Sequence, residues 1–244
     1  MAHPDANTNV GYGRYLGRAF ARDGVIYMPG EGFLASSADD GKTWSHFDVD
    51  VEGMLYCVAQ NPSGRFLAIS DDCVLVSDGA TWEIEYEGYE SLRGVLYVST
   101  RALIFGSTVL IREGGEYRQS DLAATGINAM TTSPSGTLFS VGESAEAFRS
   151  FDGGETWDEL DVPGVDLNGV VTTWTGVLAV GCFGVMIHSV DEGETWERVE
   201  HPWGERHFWS IVRAEAPGTY LVGGDDALVA RLTDPAADSL NNLD

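Results

Sequence analysis

The chain has 244 residues, 43% of them hydrophobic, which is enough for one well-packed domain, and a single domain is expected over 1–244. Its 38 acidic residues stand against 14 basic ones, a net charge of −24, so a nucleic-acid backbone would be repelled and no nucleic-acid partner is expected. Lys42 is the single lysine, and acid excess with arginine in place of lysine suits molar salt, where the Debye length shrinks to about 3 Å; a halophilic source is expected.

Met1 to Ala6 contain no basic, apolar leader and no run approaches 18 apolar residues, so neither standard export nor membrane insertion is expected. Residues 5–13 are expected to pair as a closing strand with the last repeat unit, described below. The first unit, roughly 14–52, carries the octapeptide Ser37-Ala38-Asp39-Asp40-Gly41-Lys42-Thr43-Trp44. The second, 53–90, keeps a worn copy, Ser77-Asp78-Gly79-Ala80-Thr81-Trp82, and the third, 91–123, keeps only Gly114-Gly115-Glu116-Tyr117. The fourth, 124–164, has Ser150-Phe151-Asp152-Gly153-Gly154-Glu155-Thr156-Trp157, and the fifth, 165–203, has Ser189-Val190-Asp191-Glu192-Gly193-Glu194-Thr195-Trp196. A sixth, 204–234, lacks the octapeptide but keeps the strand pattern, and 235–244 form a tail with at most a single helical turn.

The three full copies read S-x-D-x-G-x-T-W. Ser and Asp side chains accept backbone N–H groups across a tight turn, Gly supplies a positive φ, and Trp returns the chain to a packed strand. The aromatic anchors Trp44, Trp82, Tyr117, Trp157 and Trp196 are 38, 35, 40 and 39 residues apart, near the roughly 40-residue period of a four-stranded propeller blade. Between them run short β-rich stretches separated by Gly, Pro, Asn, Asp and Ser, as in Val170–Thr173, Gly176–Gly181, Val185–Ser189 and Trp196–Glu200. The expected fold is all-β: a single six-bladed propeller domain closed by the N-terminal segment.

On these boxes the chain resembles the Asp-box, or BNR-repeat, β-propellers, which include sialidases, sortilin-like receptors, several glycan hydrolases and the photosystem II stability and assembly factors. The resemblance covers nearly the whole chain and implies that the boxes are structural turns on the face away from the usual ligand site. Ser37, Asp39, Gly41, Thr43 and Trp44, with their counterparts Ser150, Asp152, Gly154, Thr156, Trp157 and Ser189, Asp191, Gly193, Thr195, Trp196, are therefore read as structural and not catalytic. The resemblance also offers glycoside hydrolysis as an alternative. A sialidase, however, needs three arginines on the substrate carboxylate, a Tyr–Glu nucleophile pair and an Arg-Ile-Pro type motif near its start, and Gly17-Arg18-Ala19-Phe20 lacks that motif.

Other chemistry is thin. Gly11-Tyr12-Gly13-Arg14-Tyr15-Leu16-Gly17 has the wrong spacing for a dinucleotide loop, and no zincin, serine-hydrolase or P-loop motif occurs. Cys57, Cys73 and Cys182 cannot all pair and read as core fillers. The acidic pairs Asp71-Asp72 and Asp225-Asp226 read as surface charge, and His201 with His207 fits no zinc spacing, so no metal or other cofactor is expected.

If the boxes mark the turn between third and fourth strands, Trp174 shares their face and Trp203 lies on the opposite one, with Gly30–Phe33, Asp71–Cys73, Gly142–Ala147, Gly181–Gly184 and Gly223–Ala227. Trp203, Arg206, His207 and Trp209 combine aromatic anchors with a cation, a composition common in binding hot spots and sugar platforms. They are the candidate ligand or partner residues. The leading functional expectation is a non-catalytic recognition or scaffold propeller that joins other proteins of a larger assembly, itself included, or a cell-surface glycan or protein. Its narrower form is a virion surface component, in capsid, tail or host attachment, of a virus infecting a halophile. The alternatives are a sialidase-like hydrolase and an assembly factor of the photosystem II type in the cytoplasm of a halophile.

Overall fold

The computed structural model describes residues 16–234 apart from 50, 52, 62, 71, 79, 80, 89, 123 and 215. The described strands form six antiparallel sheets, and the fold is the six-bladed β-propeller, one sheet to a blade. They fall into two compact units divided after Arg118. The expected closing strand at 5–13 and the tail at 235–244 lie outside the described residues.

In the first unit, blade one contains β1 (Phe20–Arg22), β2 (Val25–Gly30), β3 (Phe33–Ser37) and β4 (Ser45–Asp48). Blade two contains β5 (Cys57–Gln60), β6 (Phe66–Ile69), β7 (Cys73–Ser77) and β8 (Trp82–Glu87). Blade three contains β9 (Leu92–Val98), β10 (Arg101–Gly106), β11 (Val109–Glu113) and β12 (Glu116–Gln119). The second unit holds blade four with β13 (Ile127–Thr132), β14 (Leu138–Gly142), β15 (Ala147–Ser150) and β16 (Asp158–Glu159), and blade five with β17 (Leu167–Thr172), β18 (Val177–Gly181), β19 (Met186–Ser189) and β20 (Glu197–Arg198). Blade six has three strands among the described residues, β21 (Phe208–Arg213), β22 (Thr219–Gly224) and β23 (Leu228–Thr233).

The strand pattern follows from what covers each strand. Middle strands such as β6, β14 and β18 are buried on both faces and read as continuous apolar runs, whereas the fourth strands β16 and β20 are exposed and charged. Neighbouring blades share cores. Ala129, Phe139 and Val141 pack against Leu167, Val170 and Ile187, and Leu178, Val180 and Met186 pack against Phe208, Tyr220 and Val222. Each such fully buried side chain contributes about 1.5–3 kcal/mol.

The octapeptides are closed hydrogen-bonded turns. Ser150 Oγ donates to Asp152 Oδ1 at 2.8 Å and accepts the Gly154 N–H at 2.9 Å, while Asp152 receives the Thr156 N–H at 3.0 Å and its hydroxyl at 2.6 Å. The same bonds recur at Ser37, Asp39, Gly41 and Thr43 and at Ser189, Asp191, Gly193 and Thr195. Gly41, Gly154 and Gly193 all have positive φ, which excludes most other residues there. Trp44 and Trp157 return their indole N–H to the Gly41 and Gly154 carbonyls; Trp157 also reaches Ser120 at 3.0 Å. The Thr43 hydroxyl, then its amide and the Ser37 hydroxyl, hold Asp39 down at about 2, so this carboxylate is committed to its turn.

Candidate functional site

In the second unit, the end of the blades away from the boxes is built from one repeated turn. Between second and third strands, Ser144, Phe183 and Asp226 occupy equivalent left-handed positions, each with φ 55°. The start of each turn donates back to the connection before its own blade: Glu143 N–H to Gly126 O, Cys182 N–H to Asp166 O and Asp225 N–H to His207 O, at 2.9–3.0 Å. Neighbouring blades are tied at the same level. Ser144 N–H reaches Asp166 Oδ1 at 2.7 Å, and Gly184 N–H reaches Arg206 O at 2.8 Å. Gly184 is required there twice over, by a φ of +66° and because a Cβ would lie 2.3 Å from the Gly204 carbonyl oxygen.

The first strand of each of these blades opens with a β-bulge, which leaves Asn128, Asn168 and Trp209 unpaired in the ladder and turns them out of it. Asn128 Nδ2 donates to Leu167 O at 3.1 Å and Asn168 Nδ2 to Phe208 O at 2.9 Å, so both amides stitch one blade to the next. Trp209 departs from this pattern. Its ring is 55% exposed, and its indole N–H donates to Asp225 Oδ1 at 2.7 Å.

Around it stands an aromatic platform. The His207 ring stacks on Trp209 at 5.6 Å with 16° between planes, and Phe183, 59% exposed, has its ring 4.8 Å from the same imidazole and tilted by 53°. His207 Nδ1 is buried without a hydrogen-bond partner among the described residues. Asp225 fixes the group by accepting both the His207 amide at 3.3 Å and the indole. Arg206 donates to Asp226 Oδ2 at 3.2 Å and to Trp203 O at 3.3 Å, which sets a charged rim beside the rings.

The four residues expected at this site are thus neighbours, with unequal environments. Trp203 is half-buried: it stacks on His201 at 5.2 Å, meets Phe208 edge-on at 6.0 Å and packs against the core of blades five and six. His201 is occupied as well, since its Nε2 hydrogen-bonds with Gly184 O at 2.9 Å and its Nδ1 accepts the Trp203 amide at 3.3 Å. Arg206, His207 and Trp209 face the platform, joined by Phe183, which the sequence did not single out, and by Asp225 and Asp226, expected only as surface charge but bonded to His207, Trp209 and Arg206. Trp174, 62% exposed, belongs to the turn between β17 and β18, at the box end.

No three His, Cys, Asp or Glu side chains among the described residues are grouped to hold a metal ion, and no described helix is long and apolar enough to cross a membrane. A Tyr–Glu hydrogen bond of the kind hydrolysis would need exists in the first unit, Tyr117 to Glu85 at 2.7 Å. Arg112 grips the same carboxylate with two bonds of 2.5 and 2.8 Å, holding Glu85 below the usual range, while burial and then Glu85 itself push the Tyr117 phenol up. Arg112 and Tyr117 of blade three thereby clamp Glu85 of blade two.

Comparison with known proteins agrees with this architecture. The BNR/Asp-box repeat family matches residues 148–159, the octapeptide of blade four with its flanks. A sequence comparison with curated proteins gives no match. Solved structures similar in fold include YCF48 bound to D1 peptide (18% identity, TM-score 0.72, covering 90% of this chain and 79% of that one). A streptogramin B lyase (12%, 0.74, 96% and 87%) and the virginiamycin B lyase of Staphylococcus aureus (12%, 0.71, 96% and 88%) are also similar. The chain is a six-bladed β-propeller that contains a BNR/Asp-box repeat at residues 148–159.

Proposed function

We propose that the chain is a non-catalytic recognition propeller that binds an extended protein segment on the Phe183, His207 and Trp209 platform. The carrying observation is that two large rings, both more than half exposed, meet one imidazole and are fixed by a carboxylate hydrogen bond and a left-handed turn. Rigid aromatic anchors with a charged rim give affinity at little conformational cost. YCF48, similar in fold, is a peptide-bound propeller, which supports a polypeptide ligand. A virion surface component of a virus infecting a salt-loving host is the narrower form of this proposal, motivated by the acid excess and tested by co-purification with particles.

The test is a display selection of random peptides on the folded chain, followed by photo-crosslinking of the selected sequences. Crosslinks within 183–226 are expected. Crosslinks confined to the box end, or turnover of a glycoside or a streptogramin by the purified chain, would contradict the reading.

A further inference from the structure

Asp225 sits half-buried at the edge of the aromatic platform. Among the described residues its carboxylate takes its bonds from neutral donors, the His207 amide at 3.3 Å and the Trp209 indole N–H at 2.7 Å. Such donors stabilise the anion and leave its charge uncancelled. Its neighbour Asp226 differs: Arg206 donates to it at 3.2 Å and reaches the Trp203 carbonyl at 3.3 Å, so that guanidinium is committed to the next carboxylate and to a backbone oxygen.

The faces of an aromatic ring are already negative, and a carboxylate bonded to the ring's edge adds its own potential to theirs. Trp209 has open surface on which to use it. Stacking on His207 leaves more than half of the residue exposed, and Phe183, equally open, meets the same imidazole. The box end of the second unit shows the complementary arrangement, because Arg149 lies 5.0 Å over the exposed Phe151 ring. Phe151 has a guanidinium of its own chain against it; Trp209 has an imidazole and a carboxylate.

The field around the platform has the same sign. Turns and connections at this end of the second unit also carry Glu143, Glu146, Asp166 and Glu205, and the whole chain stands at −24. An acidic segment would be repelled on approach, whereas a basic one would be drawn in.

We propose that the platform selects a basic side chain: an arginine or lysine of the bound segment lies against the Trp209 ring, and Asp225 balances its charge. A guanidinium is flat and weakly hydrated and stacks on an indole better than an ammonium does, so arginine is preferred to lysine. This rests on the reading of the platform as a polypeptide site and adds which residue of the polypeptide the site recognises.

The test uses the full chain at constant KCl and a short fluorescein-labelled peptide of alternating glycine and arginine, beside a copy with citrulline, which keeps the shape of arginine and lacks its charge. Fluorescence anisotropy is expected to show the arginine peptide bound about fivefold or more tighter than the citrulline one. Trp209→Leu, which keeps an apolar side chain and loses the ring, is expected to abolish that preference, and Phe151→Leu to leave it intact. Equal affinity for the two peptides, no binding of either, or a preference that survives Trp209→Leu overturns the proposal. Should Trp209→Leu lose its native circular dichroism, Asp225→Asn takes its place: a reduced preference supports the site, and an unchanged one overturns it. The peptides from display selection separate this inference from the broader reading. Crosslinks within 183–226 to segments without a basic residue overturn the selectivity and leave polypeptide binding in place; crosslinks confined to the box end overturn both.

Discussion

The Trp209 indole N–H sits 2.7 Å from Asp225 Oδ1, so an exposed aromatic ring on a β-bulge is locked to the loop between the second and third strands of its own blade. The bond spends a carboxylate on a ring that contributes little to the core. Asp225→Asn keeps an acceptor but removes the charge. Binding of a selected peptide is expected to fall several-fold, with the denaturation midpoint moved by about 1 kcal/mol or less. Titration calorimetry and urea unfolding on the same samples check both halves.

Phe183 occupies a left-handed turn position that Ser144 and Asp226 fill in the neighbouring blades, and a bulky residue there costs about 1–2 kcal/mol. Phe183→Asn is expected to stabilise the chain by about 0.5–1 kcal/mol while weakening peptide binding. A variant that is less stable than wild type would show that Phe183 is held by packing and not retained for its exposed ring. Thermal melts in matched salt decide the sign.

In the octapeptides, the buried serine is expected to matter more than the aspartate. Ser150→Ala strands the buried Gly154 N–H and is expected to cost about 2 kcal/mol, whereas solvent can replace the exposed Asp152 carboxylate, so Asp152→Ala costs about 1 kcal/mol. Urea denaturation of the two single variants gives the order directly.

His188 is buried, with Nε2 3.1 Å from the Thr173 hydroxyl, and burial pushes its pKa below the ordinary histidine value against the pull of Asp234 and Glu197. The unfolded chain therefore takes up this proton first. Stability contributed by neutral His188 is complete above about pH 6.5 and is lost as pH falls from there through the depressed folded value. Melting temperatures of wild type and His188→Gln between pH 8 and 5 are expected to converge toward the acid end. Parallel curves would contradict it.

The boxes were legible because every bond that defines them closes within eight residues, so the sequence alone contains the whole turn. Six blades followed from their spacing and from apolar middle strands. The bulge rung of Asn128, Asn168 and Trp209 was not legible, since a bulge is set by how two strands register and not by any local residue pattern. Phe183 escaped for a related reason: left-handed positions are recognised by Gly, Asn or Asp, and a phenylalanine there carries no such mark. Trp203 looked like an anchor by composition, yet its connection folds it onto Phe208 and the core.

The most direct measurement is the dissociation constant of a selected peptide for wild type, Trp209→Ala and the Phe183→Ala, Trp209→Ala double variant, each confirmed folded by its melting transition. The account predicts at least about tenfold weaker binding for the single variant and further loss for the double, at nearly unchanged stability. Equal dissociation constants across the three proteins would contradict it.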